Sequence, residues 1–172
     1  GGDYSVAETI YLKADAAGLS SACSDPITVI ADTATSLVLT TQPSAAVLAG
    51  AVLATQPVLE FRDVNNNISN TTAAVTISTY TDAACTISST GTVGVTTSSL
   101  NAVAGTVSLA GLSYNKSETV YFKFTSGALS SACSTAVVVS SAASASISMT
   151  TLPSSGPTNA GTAFAVQPVV TF

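Results

Sequence analysis

The sequence predicts an all-β chain made of antiparallel sandwiches in tandem. Three observations carry that expectation. Short runs rich in Val, Ile, Thr, Tyr and Phe alternate with period two, turn residues recur at spacings of about ten residues, and the chain repeats itself over a long interval. Helical periodicity of apolar residues is absent.

The repeat organises the rest. Glu8-Thr9-Ile10-Tyr11-Leu12-Lys13 returns as Glu118-Thr119-Val120-Tyr121-Phe122-Lys123, and Leu19-Ser20-Ser21-Ala22-Cys23-Ser24 returns as Leu129-Ser130-Ser131-Ala132-Cys133-Ser134, both 110 positions on. Thr40-Thr41-Gln42-Pro43 matches Thr150-Thr151-Leu152-Pro153 at the same offset. Gln56-Pro57-Val58-Leu59-Glu60-Phe61 matches Gln167-Pro168-Val169-Val170-Thr171-Phe172 at 111, so one residue is inserted between Pro153 and Gly161. Such a period exceeds the roughly 20 to 45 residues of solenoid repeats and is the size of one small domain. Residues 1–34 read as the C-terminal part of one copy, 35–142 as a complete copy and 143–172 as the N-terminal part of the next. The opening Gly1-Gly2-Asp3-Tyr4 has neither an initiator Met nor a signal-type apolar stretch, so the expectation is an internal excerpt of a longer array.

Within the complete copy, strands are expected near residues 36–42, 52–62, 72–80, 91–97, 102–108, 119–125 and 134–140. Asp63-Val64-Asn65-Asn66-Asn67 supplies residues that tolerate left-handed backbone and is expected to turn the chain after the second strand. In the sixth strand, alternation places Val120, Phe122 and Phe124 on the core face and Tyr121 and Lys123 outside. The earlier copy is expected to bury Ile10, Leu12 and Ala14 likewise. Seven short strands in about a hundred residues are the cue for an immunoglobulin-like sandwich. The joining segments, residues 30–35 and 140–146, are short, which favours a semi-rigid rod over hinged beads.

Composition removes several functional classes. The 172 residues carry nine acidic and four basic side chains, a formal net charge of −5 and only 8 % charged residues. Lys13, Arg62, Lys116 and Lys123 are too few for a basic stripe, so a nucleic-acid partner is excluded. A mean hydropathy of +0.51 argues for a folded chain. The longest run without a polar side chain, Ala45 to Ala54, is far short of the roughly 18 to 20 residues that span a bilayer. About three residues in ten are Ser or Thr, taking surface positions that Lys and Glu commonly hold.

The string Leu37-Val38-Leu39-Thr40-Thr41-Gln42-Pro43, then Gln56-Pro57-Val58, then Phe61-Arg62-Asp63-Val64-Asn65-Asn66-Asn67 resembles the bacterial Ig-like repeats found in tandem in very large secreted surface proteins. The resemblance covers essentially the whole chain and implies a role as stalk or fibre. The cysteines depart from it, since many such repeats lack them.

Cys85 and Cys133 lie in the complete copy, and Cys23 is the period-mate of Cys133. A disulfide between Cys85 and Cys133 is expected, with Cys23 pairing to a residue outside the chain; two free buried thiols are the alternative. The closed loop of about 48 residues corresponds to roughly 4 kcal/mol of chain entropy, and an extracellular, cell-surface location follows. With no His and two Cys per copy, a Zn site lacks ligands.

The absence of His also removes Ser-His and Cys-His catalysis. Glu60 and Glu118 are the only glutamates of the complete copy, and Glu60 becomes Thr171 in the next, so no enzyme activity and no cofactor are expected. Asp63, Asn65 and Asn67 alternate as calcium ligands do, with Asp32 at a junction, but a polar turn accounts for them equally. Lys123 could suggest an isopeptide cross-link, yet it falls on the outward parity of its strand. Asn67, Asn70 and Asn115 open N-glycosylation patterns, and the exposed Ser and Thr could carry O-glycans. The expected function is mechanical: a repeat of an extracellular fibre, filament or stalk whose partners are neighbouring repeats of the same protein, with self-assembly of chains into a filament left open. The alternative is an adhesin gripping a glycan or a host or prey protein, for which Tyr80, Tyr114 and Tyr121 are too scattered to form a platform.

Overall fold

Alternating apolar residues with Ser and Thr between them form strands here because one face must be buried and the other wetted. The computed structural model describes residues 2–96, 100–144 and 146–172, and every regular element among them is a strand. The chain divides into two compact units, Gly1–Ser141 and Ala142–Phe172.

The first unit opens with two short antiparallel ladders from one hairpin. β1 (Thr9–Ile10) pairs with β4 (Ile27–Thr28), and β2 (Lys13–Ala14) pairs with β3 (Ala22–Cys23). The complete copy follows with β5 (Ser36–Thr41), β6 (Ala46–Leu48), β7 (Val58–Arg62), β8 (Thr76–Tyr80) and β9 (Val93–Gly94). It continues through β10 (Thr106–Ser108), β11 (Ser113–Tyr114), β12 (Thr119–Ser126), β13 (Leu129–Ser130) and β14 (Val137–Ser140). One sheet has the order β10-β7-β5; in the other, β12 lies between β8 and the returning chain of β13 and β14, with β6 parallel to β14 at the edge. Leu37, Leu59 and Phe61 of the first sheet share a core with Val120, Phe122, Phe124, Val137 and Val139 of the second. The arrangement is a sandwich, and Leu53, Val75, Val107, Leu112 and Tyr114 belong to the same buried cluster.

The second unit is the hairpin of β15 (Ser148–Thr151) and β16 (Val169–Thr171).

The expected strand runs are trimmed for identifiable reasons. Residues 52–57 are not strand, because Pro57 has no N–H to donate and the Gln56 side chain makes the bonds instead. Its Nε2 donates to the Leu53 carbonyl at 2.6 Å and its Oε1 accepts the Leu112 N–H at 2.8 Å. The run 102–108 is broken by a two-residue turn, with Ala104 and Gly105 both at positive φ. A Cβ on Gly105 would lie 2.0 Å from the Ser69 carbonyl oxygen. Residues 72–75 make only a single bridge, Ala74 to Asn101. The expected strand at 91–97 reduces to Val93–Gly94, and its end at Thr97 lies outside the described residues, as does Ala145 of the second joining segment. The short strands β6 and β11 have no sequence signal of their own, being set by partners remote in the chain, and β13 is the return of a tight hairpin from β12.

The 110-residue repeat reappears in the hydrogen bonding. Thr9 opposite Thr28 and Ile10 opposite Ile27 are the equivalents of Thr119 opposite Val138 and Val120 opposite Val137. Ser148 opposite Thr171 and Met149 opposite Val170 repeat Val38 opposite Glu60 and Leu39 opposite Leu59, and each ladder is then offset at the same place. Thr40 Oγ1 donates to Val58 O, and Thr150 Oγ1 donates to Val169 O. Packing differs where hydrogen bonding does not. Val120, Phe122 and Phe124 are buried as expected, whereas Leu12 is 59 % exposed, contrary to the expectation for the earlier copy. Residues 1–34 adopt the strand register of the repeat but have no second sheet over them.

Candidate functional site

The turn after β7 is where the first 34 residues meet the complete copy. Asp63 N–H donates to the Asn67 carbonyl and Asn66 N–H to the Asp63 carbonyl, with Asn66 at φ 68°. The short side chain of Asp63 folds back over this turn, so its Oδ1 accepts the Asn65 N–H at 2.8 Å and the Asn67 N–H at 2.9 Å. Its Oδ2 accepts the Asn67 amide at 3.0 Å and the Asp32 N–H at 3.0 Å. Asn67 reaches further back: its Nδ2 donates to the Ser5 carbonyl at 2.8 Å and its Oδ1 accepts the Ala7 N–H at 2.9 Å. The Ser69 hydroxyl donates to the Asp32 carbonyl at 2.8 Å. Asp63 and Ser69 are both buried, and both side chains are hydrogen-bonded within this network. The Asn67 amide, with the backbone N–H groups of Asp32, Asn67 and Asn65, holds the Asp63 carboxyl below the usual carboxylate range against the opposing effect of burial.

These residues were candidates for calcium and, at Asn67, for a glycan. The structure commits them differently. Asp63 presents its oxygens to N–H donors, and Asn67 turns its nitrogen, not its oxygen, toward the carboxylate. A sugar on Asn67 would have to displace the bonds to Ser5 and Asp63. Asn70 and Asn115 are exposed, and Asn115 Oδ1 accepts the Thr92 N–H at 2.7 Å. Among the described residues there is no cluster of three or more His, Cys, Asp or Glu.

Cys85 and Cys133 are joined, with Cα atoms 6.1 Å apart, while Cys23 is free and exposed. Cys85 sits at φ 52° in a turn held by Asp82, whose carboxylate accepts the Ile87 N–H at 2.7 Å and the Thr86 N–H at 3.0 Å. The Ile87 bond leads the effects that lower the Asp82 pKa. Cys133 lies in a bulge between β13 and β14. There, Phe122 N–H donates to Ser134 Oγ at 2.9 Å and Phe124 N–H to Ser131 Oγ at 3.1 Å, so two hydroxyls stand in for ladder carbonyls. The strand steps away from β12 without orphaning a buried N–H, and Cys133 is released toward Cys85. The same device recurs at Leu12 and Ser24, where the bond is 2.9 Å. The pair of serines flanking Cys133 was visible in the sequence, but its meaning depends on the neighbouring strand.

Two further carboxylates of the complete copy have local partners. Glu60 pairs with Arg62 beside it on β7. Glu118 accepts the Tyr114 hydroxyl and lies 2.9 Å from Lys116; both contacts, Tyr114 first, hold its pKa down. Tyr114 is fully buried and its hydroxyl accepts the Gly91 N–H at 2.8 Å, a packing role that Tyr4 and Glu8 echo in the first copy. Lys123 stands on the expected outward parity of β12. An open cleft of about 890 Å³ lies at the junction, bordered by Ile30, Asp32, Phe61, Ser69, Ser126 and Leu129. No described helix is long and apolar enough to cross a membrane. No protein-family model, curated protein or solved structure matches this chain.

Proposed function

We propose that this chain is a load-bearing stretch of a tandem array of Ig-like sandwiches, of the kind that bacterial surface proteins string into stalks, fibres or filaments. The observation that carries the reading is the recurrence of one strand register at a 110-residue offset, with the preceding copy bonded to the next through Asp63 and Asn67. The strand order β10-β7-β5 in one sheet and the placing of β12 between β8 and β14 in the other support the Ig-like reading. The disulfide fits an oxidising, extracellular setting. Its chemistry is mechanical: ladder bonds loaded together resist extension, and the Cys85–Cys133 link limits how far a copy unravels.

Negative-stain electron microscopy of the native material, with and without reductant, tests the proposal. Strands of about eight to ten residues give beads repeating at roughly 30 to 40 Å along a line. Isolated globular particles in the native material would refute an array.

A further inference from the structure

Tyr80 and Tyr121 are remote in sequence, yet β8 and β12 set them directly opposite each other. Cross-strand partners have Cβ atoms about 5 Å apart, so two tyrosines that the sequence leaves scattered form a pair. The pair lies on the outer face of its sheet. Val120 and Phe122, on either side of Tyr121, are fully buried in the core, while both tyrosines are half-buried. Exposed Ser88 bridges to Tyr80 on its far side, and Lys123 stands opposite Ser78 in the next outward row. Of the outward positions of β8 and β12, only Lys123 carries a charge at neutral pH. Asp82 and Glu118, the carboxylates at the ends of these strands, are held by Thr86 and Ile87 and by Tyr114 and Lys116.

The 110-residue repeat treats this face unusually. Thr119, Tyr121 and Lys123 recur unchanged as Thr9, Tyr11 and Lys13, whereas the inward residues Val120, Phe122 and Phe124 are Ile10, Leu12 and Ala14 in the earlier copy. Burial gives inward residues most of the folding energy and outward ones little. Packing therefore does not explain why the outward set is the one retained; a ligand held on that face does.

We propose that the outer face of β8 and β12 binds a carboxylated polysaccharide. The two phenol rings give a sugar ring apolar surface to lie on, Ser78 and Ser88 are small enough to leave that surface open, and Lys123 meets a uronate carboxylate. Two rings set among hydroxyls lack the apolar centre of a protein interface. A polymer matches the recurrence, because a motif presented once per copy engages a chain of repeating sugars at several points. The site lies within the complete copy, and it goes beyond the mechanical reading above, which stands whether or not sugar binds.

Amide chemical-shift titration of the intact, disulfide-bonded chain with tetragalacturonate, and with its methyl ester, tests the proposal. The expected result is saturable shifts at residues 78–80, 88 and 121–123 with the acid, and binding of the ester about threefold to fivefold weaker, the size of one exposed charge pair. Lys123→Gln should weaken binding of the acid by the same factor and leave the ester unchanged, which a merely structural lysine would not do. Tyr121→Thr, which keeps a strand-forming residue, should weaken both probes about tenfold or more, with exchange protection of the Phe122 amide retained as the check on folding. The absence of saturable shifts at millimolar probe, shifts confined to other surfaces, or equal affinity for acid and ester would overturn the proposal. So would shifts on this face that grow with protein concentration alone, which would assign it to a second copy of the chain.

Discussion

The backbone N–H of Asp32 donates to the carboxylate of Asp63 at 3.0 Å, across 31 residues of sequence. Since the Asp32 carbonyl accepts the Ser69 hydroxyl at 2.8 Å, the joining residue has both its backbone polar groups held by the copy that follows. A short linker alone limits the separation of two copies. A linker pinned on both sides, with Asn67 gripping Ser5 and Ala7 as well, also limits rotation.

That junction is expected to be acid-sensitive. A carboxylate whose pKa is depressed on folding contributes stability above its unfolded pKa and loses it as pH falls through the folded value. Asp63 is depressed, first by the Asn67 side chain and then by backbone N–H groups including that of Asp32. Amide exchange should show Asp32 protected at neutral pH and released below the ordinary carboxylate range, while Phe122 stays protected. Asp63→Ala should release Asp32 at neutral pH, and persistent protection there would contradict the clamp.

Removing the disulfide by Cys85→Ser with Cys133→Ser is expected to cost about 4 kcal/mol, from the loop-closure entropy of a 48-residue separation. Urea unfolding with and without the bond measures it. A change below about 1 kcal/mol would mean that the unfolded chain is already constrained in that region.

Equivalent positions should differ sharply in cost. Phe122→Ala empties part of a fully buried site and should lose about 3 to 5 kcal/mol in denaturant unfolding. Leu12→Ala, at the same repeat position but 59 % exposed, should change stability by no more than about 0.5 kcal/mol under conditions where the chain is monomeric.

Ser134→Ala deletes the acceptor of the buried Phe122 N–H, and the unsatisfied donor should cost about 1 to 3 kcal/mol. Ser24→Ala deletes the same bond to exposed Leu12, where water replaces it, and thermal unfolding should scarcely move. Equal losses in the two variants would show that the hydroxyl acts other than through the ladder.

Much of the fold was legible because its signals are local. Alternation in β12 identified Val120, Phe122 and Phe124 as core, and the repeat pointed to the Cys85–Cys133 pair. Legibility failed where a side chain replaces a backbone partner. Gln56 ends a strand by bonding Leu53 and Leu112, and Ser131 and Ser134 interrupt another by bonding β12. It failed again at Ala104 and Gly105, whose turn is fixed by the approach of Ser69.

The candidate site divides the same way. Asp63, Asn65 and Asn67 stood out as a turn by residue type alone, because short polar side chains reach only their own neighbourhood. Their partners at Ser5, Ala7 and Asp32 lie 31 or more residues away. The sequence by itself determined the all-β character and the 110-residue period, since alternation, spacing and recurrence are properties of the chain read in order. Only the tertiary structure decided that Asp63 and Asn67 grip the preceding copy and that Leu12 lies open where Phe122 is covered. Such contacts depend on which chain segments come together, and a pattern shared by every copy is silent on that.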